Sequence, residues 1–300
     1  MKKRSSIQAN KKKDWITYGL FVFPAVFFFA LVVLVPFIQG IYFSFTNWNG
    51  LMTGSQTFIG LQNYIDAFAD VKFRYAAIKT LVYGICNFFV INFVSFCLAL
   101  IVSSKLKGRH IYRTAFFLPN LIGGLVLGYV WKFIYNYTVP SIFDGLLMLT
   151  SPTNAFIALI ITSTWQSAGY YMMIYYTALQ NVPTDLLESA ELDGARWFKK
   201  LIYITLPMIM PTITVVFFLT LSSSLSTYDV IVSLTNGGPS TMFMGKAVNS
   251  TELIAVNIFN TGSVNNNMAL AQAKAVIFFV ALCIISFIQT YLNKKREMEL

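Results

Sequence analysis

Six long apolar stretches divide this chain and constrain its fold more than any other feature. A segment needs roughly 20 apolar residues to cross the hydrocarbon core of a bilayer. Stretches of that kind lie at about 17–44, 77–103, 115–136, 155–179, 202–225 and 269–292. We therefore predict an all-α integral membrane protein with six transmembrane helices and with both termini on the same side of the membrane.

The composition agrees with a membrane location. Of the 300 residues, 56% are hydrophobic and only 11% are charged, so the chain cannot present an ordinary water-facing surface. We find no internal repeat, low-complexity run or second soluble domain. We predict one membrane domain at 15–293, with a basic cytoplasmic tail at 1–14 and a second cytoplasmic tail at 294–300. No metal site is expected.

The distribution of lysine and arginine predicts which side is cytoplasmic. These residues are concentrated in the two tails and in the loops after the second and fourth stretches. The opposite loops hold only Lys72, Arg74 and Lys246. Cytoplasmic loops carry the excess of basic residues, so both termini are expected in the cytoplasm. The net charge of +10 thus reflects topology, and no nucleic-acid partner is expected. Lys79, Lys132 and Lys274 lie in or near the ends of stretches, where lysines can snorkel.

The loop between the fourth and fifth stretches carries a patterned acidic segment. Asp185, Glu188 and Glu191 follow Pro183 at spacings of three residues. A helix that starts here has acidic groups along one side, and the earliest lies near its positive N-terminal dipole. A basic groove on a partner could recognise that face.

A tight turn is predicted directly after this helix. Gly194 permits the left-handed conformation that a helix ending at Asp193 requires. Ala190 and Ala195 allow backbones to approach closely, and a second helix can run over 196–203 toward the fifth stretch. We therefore predict that the loop forms two short helices joined by a turn.

The same segment resembles the EAA loop of permease subunits from binding-protein-dependent ABC importers. The family pattern is Glu-Ala-Ala, two variable residues, Asp-Gly-Ala and a downstream Leu-Pro. The matching residues are Glu188, Ala190, Asp193, Gly194, Ala195, Leu206 and Pro207, and Ser189 replaces the usual alanine. The resemblance implies that the double helix docks in a cleft of a cytoplasmic ATPase, where Glu188 contacts a basic residue and the loop transmits ATPase closure to the spans.

Further segments are similar to permeases of carbohydrate importers, in particular to the larger partner of maltose, glycerol-3-phosphate and oligosaccharide transporters. They lie at 44–48, 60–64, 117–120 and 229–239, and the resemblance extends over about 15–292. It implies import of a carbohydrate, most of all an oligosaccharide, across the cytoplasmic membrane of a bacterium. The implied partners are a second related permease, two cytoplasmic ATPase subunits and an extracytoplasmic solute-binding protein. ATP and magnesium would be bound by the ATPase, and no cofactor is expected in this chain.

Other sources of transport energy are less consistent with the sequence. The chain has no phosphate-binding loop pattern, so it is not expected to hydrolyse ATP itself. All twelve acidic residues fall in tails, loops or the ends of stretches, which disfavours an ion-coupled secondary carrier. Such a carrier, or a channel without an ATPase, remains the main alternative. A membrane-embedded enzyme ranks third, because no catalytic cluster can be assembled around His110, the single histidine.

Polar residues in the fourth and fifth stretches are candidates for a substrate path. Ser163, Gln166 and Tyr170 recur at roughly helical spacing and so share a face, while Ser224 and Thr227 lie near the end of the fifth stretch. Such groups are costly against lipid, so they either line a wet cavity or hydrogen-bond neighbouring helices. In the resembled family, sugar-contacting positions lie in these places, which implies a role in the substrate path.

Overall fold

The computed structural model describes residues 17–50, 56–104 and 107–298, and within these ranges regular structure is helical apart from one β-hairpin. The tail predicted at 1–14 lies outside the described residues. In chain order the elements are α1 (Thr17–Ser44), α2 (Gln62–Ala69), α3 (Val71–Ser103), α4 (Arg109–Phe117), α5 (Gly124–Phe133), α6 (Pro152–Gln180), α7 (Thr184–Leu192), α8 (Trp197–Lys200), α9 (Met210–Leu225), α10 (Asp229–Leu234), β1 (Ser240–Phe243), β2 (Lys246–Asn249), α11 (Ile254–Phe259) and α12 (Met268–Met298).

Several helices contain or continue into segments with other hydrogen-bonding patterns. A π-helical segment, Ala30–Leu34, lies inside α1, and α4 continues as the 3-10 turn Leu118–Leu121. The remaining continuations are Ile134–Thr138 and Val139–Ile142 after α5, Leu201–Thr205 and Leu206–Met208 after α8, and Asn260–Val264 after α11.

Helices cover all six predicted stretches, but not as six uninterrupted spans. Three described helices are long and apolar enough to cross a membrane: α1, α3 and Met268–Tyr291 of α12. Two further spans follow if each bent helix pair counts as one. Helix α6 coincides with the fourth stretch and has 29 residues, about 43 Å of helix, but it carries many polar side chains. The number six therefore stays a prediction.

The third stretch, expected as one span over 115–136, is broken. The pair Arg109–Leu121 and Gly124–Ile142 bends by 101°. Ile122 and Gly123 are extended, with ψ of 126° and 139°. The amide of Gln166 donates to the Ile122 carbonyl at 3.1 Å, so a backbone group released by the break is satisfied by a neighbouring helix.

The fifth stretch, expected over 202–225, is broken as well. The pair Trp197–Met208 and Met210–Leu225 bends by 74° around Ile209, which has φ −94° and ψ 5°. Pro207 and Pro211 flank this residue. Because proline lacks the N–H that continues a helical ladder, the two prolines favour an interruption here.

The chain forms two compact units, and the larger one comprises Phe68–Asn260 and Ile277–Leu300. Its interior is built where α3 packs along α6, with α9 against α3 and α10 against α5. One apolar cluster centres on Tyr83, Leu159 and Ile231, and another on Ile91, Met172 and Val216. These clusters hold the helices that surround the candidate site.

The smaller unit comprises Met1–Ala67 and Thr261–Val276. Within it, the amide of Asn63 donates to the carbonyls of Ser44 and Thr46, both at 2.8 Å, and so fixes the turn that follows α1. Most side chains of α1 are exposed, as expected for a lipid-facing helix.

The expectation that Lys274 snorkels is wrong. Its side chain is 1% exposed, and the ammonium group donates to the hydroxyl of Thr261 at 2.8 Å, within the smaller unit. A buried ammonium needs polar partners. The π-helical segment after α11 supplies one, and hydropathy along the chain could not reveal it.

The connection between α10 and α12 contains the turn predicted at 235–239. Asn236 and Gly237 have φ of 50° and 83°, and the Gly238 amide donates to the Thr235 carbonyl at 3.0 Å. Strands β1 and β2 then pair in antiparallel register around Met244 and Gly245, both with positive φ. Positive φ at both central residues is typical of two-residue hairpin turns.

Candidate functional site: a polar cavity and an exposed loop

A polar cavity of about 310 Å³ lies within the larger unit, between α3, α6, α9 and the start of α10. Its lining consists of Asn87, Ile91, Gly124, Ser163, Gln166, Ser167, Ser223, Ser224, Ser226, Thr227, Tyr228, Asp229 and Val230. All but Ile91, Gly124 and Val230 carry a hydroxyl, amide or carboxylate group. The cavity therefore offers many hydrogen-bonding groups.

Four of the five residues predicted for the substrate path lie in this lining: Ser163, Gln166, Ser224 and Thr227. Tyr170 does not. Its side chain is 40% exposed, and its ring packs edge-on against Tyr171 at a centroid distance of 5.1 Å. Tyr170 shares a helix face with Ser163 but lies about 10 Å further along α6, which takes it past the cavity.

Hydrogen bonds between helices hold the cavity wall in place. The hydroxyl of Tyr83 donates to the Ser163 hydroxyl at 2.7 Å, and the amide of Asn87 donates to the Ser224 hydroxyl at 2.9 Å. Both pairs link α3 to a neighbouring helix and are buried. The serines thus serve as helix contacts and as lining at once, so the two interpretations left open by the sequence are compatible.

Asn87 also presents an acceptor. Its Oδ1 atom is buried and receives no hydrogen bond from any residue that the structure describes. A buried acceptor without a partner costs roughly 1–3 kcal/mol, so it has a strong tendency to bind a donor.

Sequence reasoning did not identify Asn87 or Asp229 as cavity residues. An amide within an apolar stretch could have indicated Asn87, because amides are rare inside spans. Asp229 carries no such signal, since it follows the fifth stretch in what the sequence predicts to be a loop. Among the described residues, no group of three or more His, Cys, Asp or Glu is placed to hold a metal ion.

The second candidate site is the loop formed by α7 and α8. Helix α7 ends at Leu192, one residue before the predicted end, with Asp193 as its C-cap and Gly194 at φ 80°. The Gly194 amide donates to the Glu191 carbonyl at 3.0 Å, and the Ala195 amide to the Ala190 carbonyl at 2.8 Å. This pair of bonds is a Schellman cap, which explains why the turn requires glycine at this position.

The outer surface of this loop is exposed and combines acidic and apolar groups. Glu188 is exposed, and its side chain forms no hydrogen bond or ion pair with any described residue. Large apolar side chains of the same loop are also exposed, with Leu192 at 91% and both Trp197 and Phe198 mostly exposed. Exposed apolar side chains grouped in this way indicate an interaction surface.

The inner surface connects the loop to the long helices. Leu187 and Leu206 pack against a cluster of Ala178, Val182 and Ile209. Leu206 and Pro207, the last residues of the motif, therefore lie at the bend between α8 and α9. Lys200 pairs with Glu191 at 3.0 Å and links α8 to α7. Movement of α7 would therefore be transmitted through these packed side chains to the ends of α6 and α9.

Comparison with known proteins adds to this geometry. Residues 111–298 match the family model of the binding-protein-dependent transport system inner membrane component. The chain is 40% identical over 294 residues to the "Probable starch degradation products transport system permease protein AmyD" of Thermoanaerobacterium thermosulfurigenes, covering 96% of this chain and 97% of the relative. It is 32% identical to the "Multiple sugar-binding transport system permease protein MsmF" of Streptococcus mutans serotype c (strain ATCC 700610 / UA159), covering 88% and 90%.

A solved structure shares the fold. It is a bacterial ABC transporter involved in the import of the acidic polysaccharide alginate, and its chain matches with a TM-score of 0.81, 21% identity and coverage of 97% of this chain and 99% of that one. The family match extends over more than half of the sequence, and the relatives match it nearly from end to end. The chain therefore belongs to the family of inner membrane components of binding-protein-dependent transport systems.

Proposed function

We propose that this chain is the permease subunit of an ATP-driven importer that moves a carbohydrate, in particular an oligosaccharide, across the cytoplasmic membrane of a bacterium. It spans the membrane six times, with its termini and the α7–α8 loop in the cytoplasm. It pairs with a second permease of the same fold and with two cytoplasmic ATPase subunits, which bind ATP and magnesium. An extracytoplasmic solute-binding protein delivers the carbohydrate.

The observation that carries this proposal is the exposed outer surface of α7 and α8. The Glu188 side chain has no partner among the described residues, and Leu192 and Trp197 of the same loop are exposed. An acidic and apolar surface of this kind suits a partner with a basic, partly apolar cleft. Because Leu187 packs in the same cluster as Leu206, closure of that partner around α7 would move the ends of α6 and α9.

The cavity supports carbohydrate as the class of substrate. Its hydroxyl and amide groups can both donate and accept hydrogen bonds, as the hydroxyl groups of a sugar do. Relatives named for transport of starch degradation products and of multiple sugars point to the same class. The predicted substrate-path residues Ser163, Gln166, Ser224 and Thr227 are assigned to this cavity, and Tyr170 to a position beyond it.

The test is ATP-dependent uptake by the complete importer in proteoliposomes, with radiolabelled maltotriose and the solute-binding protein outside. Glu188→Lys reverses the charge at the proposed docking surface and should reduce uptake at least about 100-fold while membrane insertion is unchanged. Gly194→Pro should have a similar effect, because proline cannot adopt the φ of 80° at this position.

Asp144→Lys is the matched control, since Asp144 is an exposed carboxylate outside the α7–α8 loop. It should leave uptake near the wild-type rate. Normal uptake in the Glu188→Lys variant would refute the coupling role. Cysteine crosslinking from Ser189 to the ATPase subunit provides an independent check of docking.

A further inference from the structure

We propose that Asp229 makes the cavity selective against anionic carbohydrates, so that this permease conducts neutral oligosaccharides and rejects acidic ones. The inference rests on the proposed function for the identity of the ligand. It assigns to Asp229 a role in specificity that the spacing of the polar residues does not suggest.

The charge of Asp229 is not compensated within the cavity. Its side chain is exposed at the lining and forms no hydrogen bond or ion pair with any residue that the structure describes. The other polar groups of the lining are hydroxyls and amides, and the lining contains no lysine, arginine or histidine. Among the described residues that line this cavity, Asp229 therefore supplies the single charge, which is negative.

The backbone that carries Asp229 is held firmly. A Cβ atom added at Gly124 would lie 2.9 Å from the Cβ of Asp229, so α5 and α10 are in close contact here. The Ser233 hydroxyl donates to the Asp229 carbonyl at 2.8 Å and lies 3.3 Å from the Gly124 carbonyl. The next two residues, Val230 and Ile231, belong to a buried cluster. The backbone cannot easily withdraw the carboxylate from the cavity.

A fixed carboxylate discriminates between sugars by charge. The hydroxyl groups of a neutral sugar can donate charge-assisted hydrogen bonds to it, which are stronger than neutral ones. The carboxylate of a uronic acid unit is repelled, and the repulsion is stronger in a partly enclosed cavity than in water. The solved alginate importer has a similar fold and carries an acidic polysaccharide, so the fold alone does not decide the charge of the cargo.

The charge of the cavity can be measured without transport. In the assembled importer, Cys86, Cys97 and Cys283 are replaced by alanine, and Ser226→Cys introduces a reporter thiol in the lining. Its reaction rates with trimethylammonioethyl and sulfonatoethyl methanethiosulfonate are compared, each relative to a free thiol. The rate ratio should favour the cationic reagent by about ten-fold and fall at least about three-fold in the Asp229→Asn variant.

Asp144→Asn, which removes a charge outside the cavity lining, is the control and should leave the ratio unchanged. Ser223→Cys is a second reporter in the lining if Ser226→Cys does not assemble. A ratio near one, a ratio unaffected by Asp229→Asn, or no reaction with either reagent would overturn the proposal.

Protection of the reporter links the charge to carbohydrate binding. Maltotriose should slow labelling more than trigalacturonate at the same concentration, and Asp229→Asn should narrow that difference. Equal protection by the two sugars, or none by either, would contradict the inference. If the charge effect and protection hold but ATP-driven uptake is absent, the proposed function fails while the specificity of the cavity stands.

Discussion

Polar side chains are buried and hydrogen-bonded in the cavity wall, whereas in the α7–α8 loop they are exposed to solvent. In the cavity wall, Tyr83 and Asn87 are buried and bonded across helix interfaces. In the loop, Glu188 faces outward without a partner among the described residues, and the turn depends on its own backbone bonds. Changes to the buried residues around the cavity should therefore reduce stability, whereas changes to side chains on the outer surface of the loop should reduce coupling to a partner at a smaller cost in stability.

Two glycines provide the largest expected contrast in stability. A Cβ atom at Gly169 would lie 1.8 Å from the backbone carbonyl oxygen of Phe116, whereas a Cβ atom at Gly194 meets nothing within 4 Å. Gly169→Ala should lower the free energy of unfolding by about 3 kcal/mol or more, because backbone must move to relieve the overlap. Gly194→Ala should cost only about 1–2 kcal/mol, for the left-handed backbone.

Unfolding of both variants in detergent, followed by circular dichroism, measures this difference. Gly19→Ala is a useful third variant, because its site is also open and its helix backbone is regular. If Gly169→Ala and Gly194→Ala lowered the free energy of unfolding by the same amount, the contact between Gly169 and Phe116 would not be as tight as the distance indicates.

Asn92 and Asn181 offer an intermediate contrast. The Asn92 side chain accepts from the Tyr175 hydroxyl at 2.7 Å and donates to the Thr220 hydroxyl at 2.8 Å. Asn92→Leu should destabilise the protein by about 2 kcal/mol, since hydrogen bonds between membrane helices contribute roughly 0.6–1.7 kcal/mol each. Asn181→Leu, at the exposed end of α6, should change stability by less than about 0.5 kcal/mol. Equal unfolding midpoints would mean that the interior hydrogen bonds contribute nothing measurable.

The ion pair between Glu191 and Lys200 should give the smallest effect. The Lys200 side chain is only 19% exposed, but Glu191 is 71% exposed, so water and salt screen the pair from the side of the carboxylate. Exposed pairs contribute about 0–1 kcal/mol, and a double-mutant cycle with Glu191→Ala and Lys200→Ala should yield a coupling energy below about 0.5 kcal/mol. A coupling energy above about 1.5 kcal/mol would show that the loop is held more rigidly than its exposure indicates.

Local signals account for what could be predicted. Long apolar runs predicted the helices. Gly194 predicted the turn, because the left-handed residue that ends a helix is needed within a few residues of the helix end and favours glycine. The breaks at Ile122 and Ile209 were harder to predict, since prolines and glycines allow a break without requiring one. Whether a helix actually bends depends on a neighbour such as Gln166 that can satisfy the released carbonyl.

The sequence by itself determined the membrane character of this protein, the position of its helices and the two-helix loop, because hydropathy and turn chemistry act over a few consecutive residues. Only the tertiary structure decided that Asn87 and Asp229 share one cavity, that Tyr170 lies outside its lining and that Lys274 is buried. The first two facts depend on how α3, α6, α9 and α10 pack. The burial of Lys274 depends on its contact with the π-helical segment Asn260–Val264. Packing between distant segments leaves no local pattern in the chain.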